Sequence, residues 1–431
     1  MKNKSSKKLL IVSYYLPPTK TVAAVRIFNF HHEAKKHFKE VFSLTTSNRQ
    51  LFPKDDYPFD DEKTTEVWTW DLRRLLIKNN NTSTGMSQQA KSSRFSQFLS
   101  KLSYSFPFNL FLADGGITYI LGGFFEGKKI IRAQNIDVIF SSYKPYADHL
   151  ICFLLKKWNP RLIWIADFRD LHVDEIRQNV FSPKIQKWFN HKILKKADVV
   201  TTVSKGLKKN LAELHPNVQV LRNAISSFSK PTSDAKLFSK FTISYTGSIY
   251  ANLRTAEPLC KAVKSLIENQ QIDPEKFQLI YAGNEVAIWQ KWVNAYDLND
   301  VSIVHENLPL REAQQIQRQS HINLLLSWAT KKQQGVLTAK FYEYLATHNP
   351  ILLIIKGSRD YEFEAIFREL QAGLVSYDEA ESEDQTKNFV LDYYHEWTKN
   401  NTITKSIRPE KLAKYRWNTQ IQRFLNQEIF R

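Results

Sequence analysis

Residues 335–356 read GVLTAKFYEYLATHNPILLIIK. Two kinds of structure are written in them. Ile351–Lys356 is an unbroken apolar run, so it predicts a strand covered on both faces, as in a parallel sheet flanked by helices. Before it, Leu337, Phe341, Tyr344 and Leu345 fall at i, i+4, i+7 and i+8, which predicts an amphipathic helix with Lys340, Glu343 and Thr347 on the opposite face. Gly335 supplies a turn conformation closed to most residues, and Thr338 stands where an N-cap belongs. Turn, helix and buried strand together make a repeating piece of α/β architecture.

The same piece recurs along the 431 residues. Apolar runs predict strands at Leu9–Tyr14, Val41–Thr46, Glu66–Asp71, Ile136–Ser142, Leu162–Phe168, Val199–Ser204 and Val218–Arg222, then at Phe241–Ser248, Phe277–Asn284, Ser302–Glu306 and Ile322–Ser327. Helical patterns lie between them, such as Pro183–Lys196 with Ile185, Trp188, Phe189 and Ile193 on one stripe. The polar stretch Ser226–Lys240 (SSFSKPTSDAKLFSK) reads as a linker. The expected fold is therefore α/β: two doubly wound, Rossmann-like domains facing a cleft, at 1–228 and 240–408. The tail, 409–431, reads as a helix that packs back on the N-terminal domain through Leu412, Tyr415, Ile421 and Phe424. Lys78–Arg94 has almost no apolar residue and reads as a loop; Asp378–Asp384 reads as a solvated helix start.

Composition narrows the function. The start, MKNKSSKKLLIVSYYLPP, has too short an apolar run for a signal peptide and reads as a basic lead into a buried strand. No run approaches the ~18–20 apolar residues of a membrane span. Cys152 and Cys260 stand far apart without metal-ligand spacing, which suits a reducing cytoplasm. The net charge is +18. Residues 1–45 carry eight lysines and Arg26 against Glu33 and Glu40, a net +7; residues 183–209 carry eight lysines against Asp198, again +7. Nucleic acid, an anionic membrane surface and a phosphorylated small molecule all fit such charge, as does plain solvation. No nucleic-acid-binding signature accompanies the lysines, which argues against the first.

Ligands of doubly wound sheets lie beyond the carboxyl ends of strands. After the first strand comes a loop with Thr19, Lys20 and Arg26; it lacks GxGxxG, which argues against a dinucleotide cofactor. Asp167, Arg169, Asp170 and His172 leave an apolar strand, either as a fixed Asp–Arg pair or as a site. In the second half TGSIYANLR puts Gly247 where a backbone can approach closely and Arg254 where a phosphate could be gripped, and Gly283 repeats the strand-then-glycine pattern. Backbone amides of Val336, Leu337, Thr338 and their neighbours, with Lys340, could receive an anion. Glu343, one turn on, would repel a phosphate but suits a sugar diol, from which a carboxylate can accept two hydrogen bonds.

Taken in order, LLIVSYYLPP, WIADFRDLH, ADVVTTVSKGLKKNL, VLRNAI, SYTGSIYANLR and GVLTAKFYEYLATHNPIL resemble the GT-B fold glycosyltransferases, specifically the retaining family 4 group that builds bacterial surface polysaccharides. The resemblance spans nearly the whole chain. It implies a nucleoside-diphosphate sugar donor on the second domain and a glycan or lipid-linked acceptor over the first. It also implies transfer with retention, no metal and no cofactor. Arg254 and Lys340 would hold the diphosphate and Glu343 the ribose. Departures are Ser248 and Gly335, where the group carries a base and a carboxylate, Ala224 in place of a glycine, a first loop, Thr19–Ala24, without glycine, and Tyr143 where a histidine is common. His149 and His172 are nearby substitutes for that histidine. Asp167 or a histidine could act as base, and Thr19, Lys20, Arg26 and Arg169 would lie on the acceptor side. The expected setting is cytoplasmic, with peripheral contact at the inner membrane face through the basic segments. The alternative is a non-catalytic sugar-nucleotide-binding or assembly protein on the same fold.

Overall fold

The computed structural model describes residues 5–54, 58–59, 62–70, 98, 101–111, 114–174, 178–226, 236–250, 252–306, 308–404 and 407–426. The expected loop 78–94 and residues 227–235 of the linker lie outside them. The chain divides into two compact units, Met1–Arg222 with Trp417–Arg431, and Asn223–Arg416.

The first unit runs β1 (Lys8–Val12), α1 (Val22–His37), β2 (Glu40–Thr46), β3 (Thr64–Val67), α2 (Gly116–Gln134), β4 (Val138–Tyr143), α3 (Ala147–Trp158), β5 (Ile163–Phe168), α4 (Pro183–Leu194), β6 (Val199–Thr202), α5 (Lys205–Ala212) and β7 (Val218–Val220). The strands form one parallel sheet in the order β3-β2-β1-β4-β5-β6-β7. Leu9, Leu10, Ile11 and Val12 are wholly buried, so consecutive side chains are covered on both faces of the sheet. That is why β1 reads as a continuous apolar run.

The second unit runs β8 (Phe241–Thr246), α6 (Glu257–Glu268), β9 (Phe277–Ala282), α7 (Val286–Ala295), β10 (Ser302–His305), α8 (Leu310–Gln319), β11 (Ile322–Ala329), α9 (Ala339–Leu345), β12 (Ile351–Gly357), α10 (Tyr361–Leu370), β13 (Gly373–Tyr377) and α11 (Glu383–Asn400). Its parallel sheet has the order β10-β9-β8-β11-β12-β13. Ile351–Ile355 of β12 are all fully buried. Each contributes roughly 1.5–3 kcal/mol by leaving water.

Three expectations need correcting. The buried face of α4 is Gln186, Asn190, Ile193 and Leu194, whereas Ile185 and Trp188 are about half exposed. Polar Gln186 and Asn190 turn inward because their amides bond each other and the Phe106 amide. The tail is two pieces, a 3-10 turn at Pro409–Tyr415 and α12 (Trp417–Leu425). Between them Arg416 makes a bridge to Ile225, whose amide donates to the Tyr415 carbonyl. Thr347 is buried rather than solvated; its hydroxyl donates to the Tyr344 carbonyl and accepts from Asn323.

Candidate functional site

In an open doubly wound sheet the binding position is set where strand order reverses. In the second unit that point lies between β8 and β11. β8 ends at Thr246, and the chain turns at Gly247 with φ +147°, a conformation costly for any other residue. A side chain there would also meet Cε of Lys340 at 3.3 Å, so Lys340 lies directly over the turn. Gly283, at the end of β9, leaves no room either: a Cβ would stand 2.4 Å from the Gly247 carbonyl oxygen.

Lys340 and Glu343 meet across one turn of α9, Nζ to Oε2 at 3.0 Å, both about one-quarter exposed. Gln317, buried on α8, joins this pair to the sheet. Its Nε2 donates to Glu343 Oε2 at 3.0 Å and to Thr246 Oγ1 at 2.8 Å. The Tyr344 hydroxyl accepts from the Thr246 amide at 3.2 Å. Burial raises the Glu343 carboxyl, but the Lys340 charge and the hydrogen bonds from Gln317 and Lys340 outweigh it and hold the group below its ordinary value. Glu343 is therefore a carboxylate at neutral pH. Both donors use Oε2, which leaves Oε1 without a partner among the described residues.

Arg254 completes the group. It is only 8% exposed, and its Nη1 donates to the Ser248 carbonyl at 2.8 Å and to the Tyr245 hydroxyl at 3.3 Å. The guanidinium stacks over Tyr250 at 4.7 Å. Its Nε finds no acceptor, and no carboxylate comes within ion-pair distance among the described residues. Burying a cation without an acid is costly, and such a charge is a natural place for an anion. The Arg254 and Lys340 charges both act on the buried Tyr245 hydroxyl, which ties the two cations to one locality.

The turn before α9 is held differently from the sequence expectation. Thr338 occupies the N-cap position but its side chain caps nothing. Asp360, buried, accepts from the Gly335 amide at 2.6 Å and caps α10 through the Glu362 and Phe363 amides. Leu337 sits in the core with its amide bonded to the Gly335 carbonyl, so that amide is already used. Val336 is half-buried beside it. Gln317, Asp360 and Glu285 were not singled out from sequence. Glu285 accepts from the Ile249 amide at 3.0 Å and from the Tyr281 hydroxyl, fixing the loop that carries Arg254.

The first unit places its candidates deeper. Asp167 is fully buried and bound on both oxygens by Arg26, at 2.6 and 3.0 Å, and by the hydroxyls of Ser142 and Thr201, each at 2.8 Å. Burial raises its carboxyl; the Arg26 charge and these bonds prevail and hold it below the usual range. Arg26 is 3% exposed, donates to the Leu221 carbonyl and lies 5.4 Å over the Trp417 ring. Asp167 is thus paired with an arginine, but with Arg26 of α1 and not with Arg169 of its own segment. The polar atoms of both groups are taken up by partners within the first unit. His149 and His172 are buried too. Burial pushes them down to about 3 and about 4, leaving neutral rings bonded to Ser141 and Asn190 and packed among Tyr143, Tyr146 and Phe168. Both rings are therefore neutral at neutral pH. Thr19 is buried, Lys20 is exposed, and Arg169 is half-buried with its guanidinium on the Tyr143 and Lys144 carbonyls. Among the described residues no group of three or more His, Cys, Asp or Glu gathers as metal ligands.

Two parallel Rossmann-like sheets and a C-terminal helix make the GT-B architecture. Solved structures share it along the whole chain. A sucrose-phosphate synthase from Thermosynechococcus elongatus matches with TM-score 0.60 at 12% identity, over 97% of each chain. The lipopolysaccharide outer core galactosyltransferase WaaB, in its apo form, matches with TM-score 0.58 at 10% identity, over 97% of this chain and 98% of that one. A structure described as trehalose-6-phosphate from E. coli bound with UDP-2-fluoro glucose matches with TM-score 0.56 at 12% identity, over 97% and 98%. No protein-family model and no curated protein matches the chain. Identities this low define the fold and leave the activity to the site.

Proposed function

We propose that this protein is a glycosyltransferase. It moves a sugar from a nucleoside-diphosphate sugar to a glycan or lipid-linked acceptor in cell-surface polysaccharide synthesis, with retention and without a metal. The second unit is the donor side and the first the acceptor side. The observation that carries the reading is Arg254, a buried cation without a carboxylate, beside the Lys340–Glu343 pair at the strand-order reversal. A diphosphate supplies the counter-charge that Arg254 lacks and pairs with the Lys340 ammonium, and Oε1 of Glu343 accepts from a ribose diol. As the sugar departs, negative charge grows on the diphosphate, and two cations fixed in advance stabilise it there. Gly247 and Gly283 let the donor approach the backbone. Fold neighbours support the reading: one is named a galactosyltransferase and another is described with UDP-2-fluoro glucose bound.

On the first unit, Lys20 and Arg169 are the cations with exposure enough to touch an acceptor, and Thr19 orders the loop between them and β1. Asp167 and Arg26 serve the frame. Ser248 and Gly335, which lack the charges usual at those places, favour a second reading: a sugar-nucleotide-binding protein that does not catalyse.

Calorimetric titration with UDP, GDP and ADP tests the proposal. One of them should bind, and Arg254→Ala or Glu343→Ala should weaken it by about 10–100-fold. Binding by none of the three, or binding indifferent to both substitutions, overturns it. Hydrolysis of the matching nucleotide sugar separates transferase from binder.

A further inference from the structure

The face that α2 turns to solvent is apolar, unlike that of an ordinary surface helix. Its inward face sets Tyr119, Ile120 and Ile131 beside two glycines that let it close on α3: a Cβ at Gly123 would stand 2.5 Å from Ile151 Cδ1 and one at Gly127 2.9 Å from Leu155 Cδ1. Its outward face carries Ile117, Leu121 and Phe125 at i, i+4 and i+8, 39%, 46% and 56% exposed. Trp68 and Trp70, 63% and 49% exposed, run alongside. The Trp70 amide donates to Thr118 Oγ1, and Gly122 comes close to the Trp68 carbonyl. An apolar stripe of this length left in water, with two tryptophans beside it, is not what burial selects. Lys128 and Arg132 continue the same stripe at the next two turns, each with its cation about 5.1 Å over the Trp158 ring. The acidic side chains of this segment are engaged elsewhere, Glu126 with Lys129 and Asp114 with the Tyr15 hydroxyl.

We propose that this face of α2, with Trp68 and Trp70, is a docking surface for an anionic lipid bilayer. Charge complementarity selects the occupant. Aliphatic and aromatic side chains bounded by lysine and arginine suit the acyl–headgroup boundary, where tryptophan is favoured and the cations meet anionic headgroups. A second copy of this face would bring the same cations together, in a chain whose net charge is already +18. No helix among the described residues is long and apolar enough to cross a membrane, so the contact is superficial. The surface uses no residue of the proposed donor site or of the basic segments singled out in the sequence, and the proposal stands whether or not the chain is a transferase.

The test is sedimentation of the full chain with vesicles of phosphatidylcholine alone, and of phosphatidylcholine with three parts in ten phosphatidylglycerol. Binding to the second and not the first is expected. Leu121→Glu with Phe125→Glu should lower the partition coefficient by about tenfold or more, with thermal stability unchanged because both positions are exposed. Lys128→Glu with Arg132→Glu should remove the preference for anionic vesicles. Equal binding by the Leu121→Glu, Phe125→Glu variant, or no binding by the parent chain, overturns the proposal. So does a concentration-dependent dimer, seen by light scattering without lipid and abolished by the same variant, because the face then belongs to a second copy.

Discussion

Glu343 is a charge partner within the protein and, in the proposed function, an acceptor for a ligand. Its carboxyl is held below the unfolded value by Lys340 and Gln317. A depressed carboxyl contributes stability that is complete above the unfolded pKa of about 4.3 and is lost as pH falls through the folded value. Thermal melts from pH 7 to pH 3 should therefore show a smaller acid-side loss for Glu343→Gln than for the parent chain; equal losses would detach the pair from stability. Three members of this site were legible before the structure. Arg254, Lys340 and Glu343 stand in short motifs whose spacing carries meaning by itself. Gln317 and Asp360 were not legible, because each reaches its partner across 26 and 25 residues of chain and neither sits in a patterned neighbourhood. Only the packing of α8 and α10 gives them a role.

Elements explain why Asp167 and Arg26 are held so firmly in the first unit. Asp167 on β5 gathers Arg26 from α1, Ser142 from β4 and Thr201 from β6, while Arg26 reaches onto Trp417 of α12. Removing either ion alone strands the other in a dry interior. Asp167→Ala or Arg26→Ala should each cost about 3–5 kcal/mol in denaturant unfolding, and Asp167→Leu with Arg26→Met much less than their sum. Simple additivity would show that the pair is not coupled. The strands themselves were largely readable, because a strand buried on both faces has to be apolar at every position. β13 was not, since GLVSY opens on glycine and pairs with one neighbour only, at the sheet edge. α4 misled for the opposite reason: its apolar stripe is real, but Gln186 and Asn190 find amide partners inside and take the buried face.

At the level of the whole molecule, the path of the backbone matters more than any contact. The chain leaves the first unit after Arg222 and re-enters it at Trp417. Both passages lie side by side, because Ile225 pairs with Arg416 and its amide bonds the Tyr415 carbonyl. The second unit therefore begins and ends at one place and encloses its own buried clusters. Expressed alone, Asn223–Arg416 should unfold in a single cooperative transition and keep whatever nucleotide affinity the parent chain has; a non-cooperative melt would show that it depends on its host. Neighbouring termini also make the piece portable. Evolution or an engineer could lift it out of one host and graft it into another as a cassette whose two ends already meet.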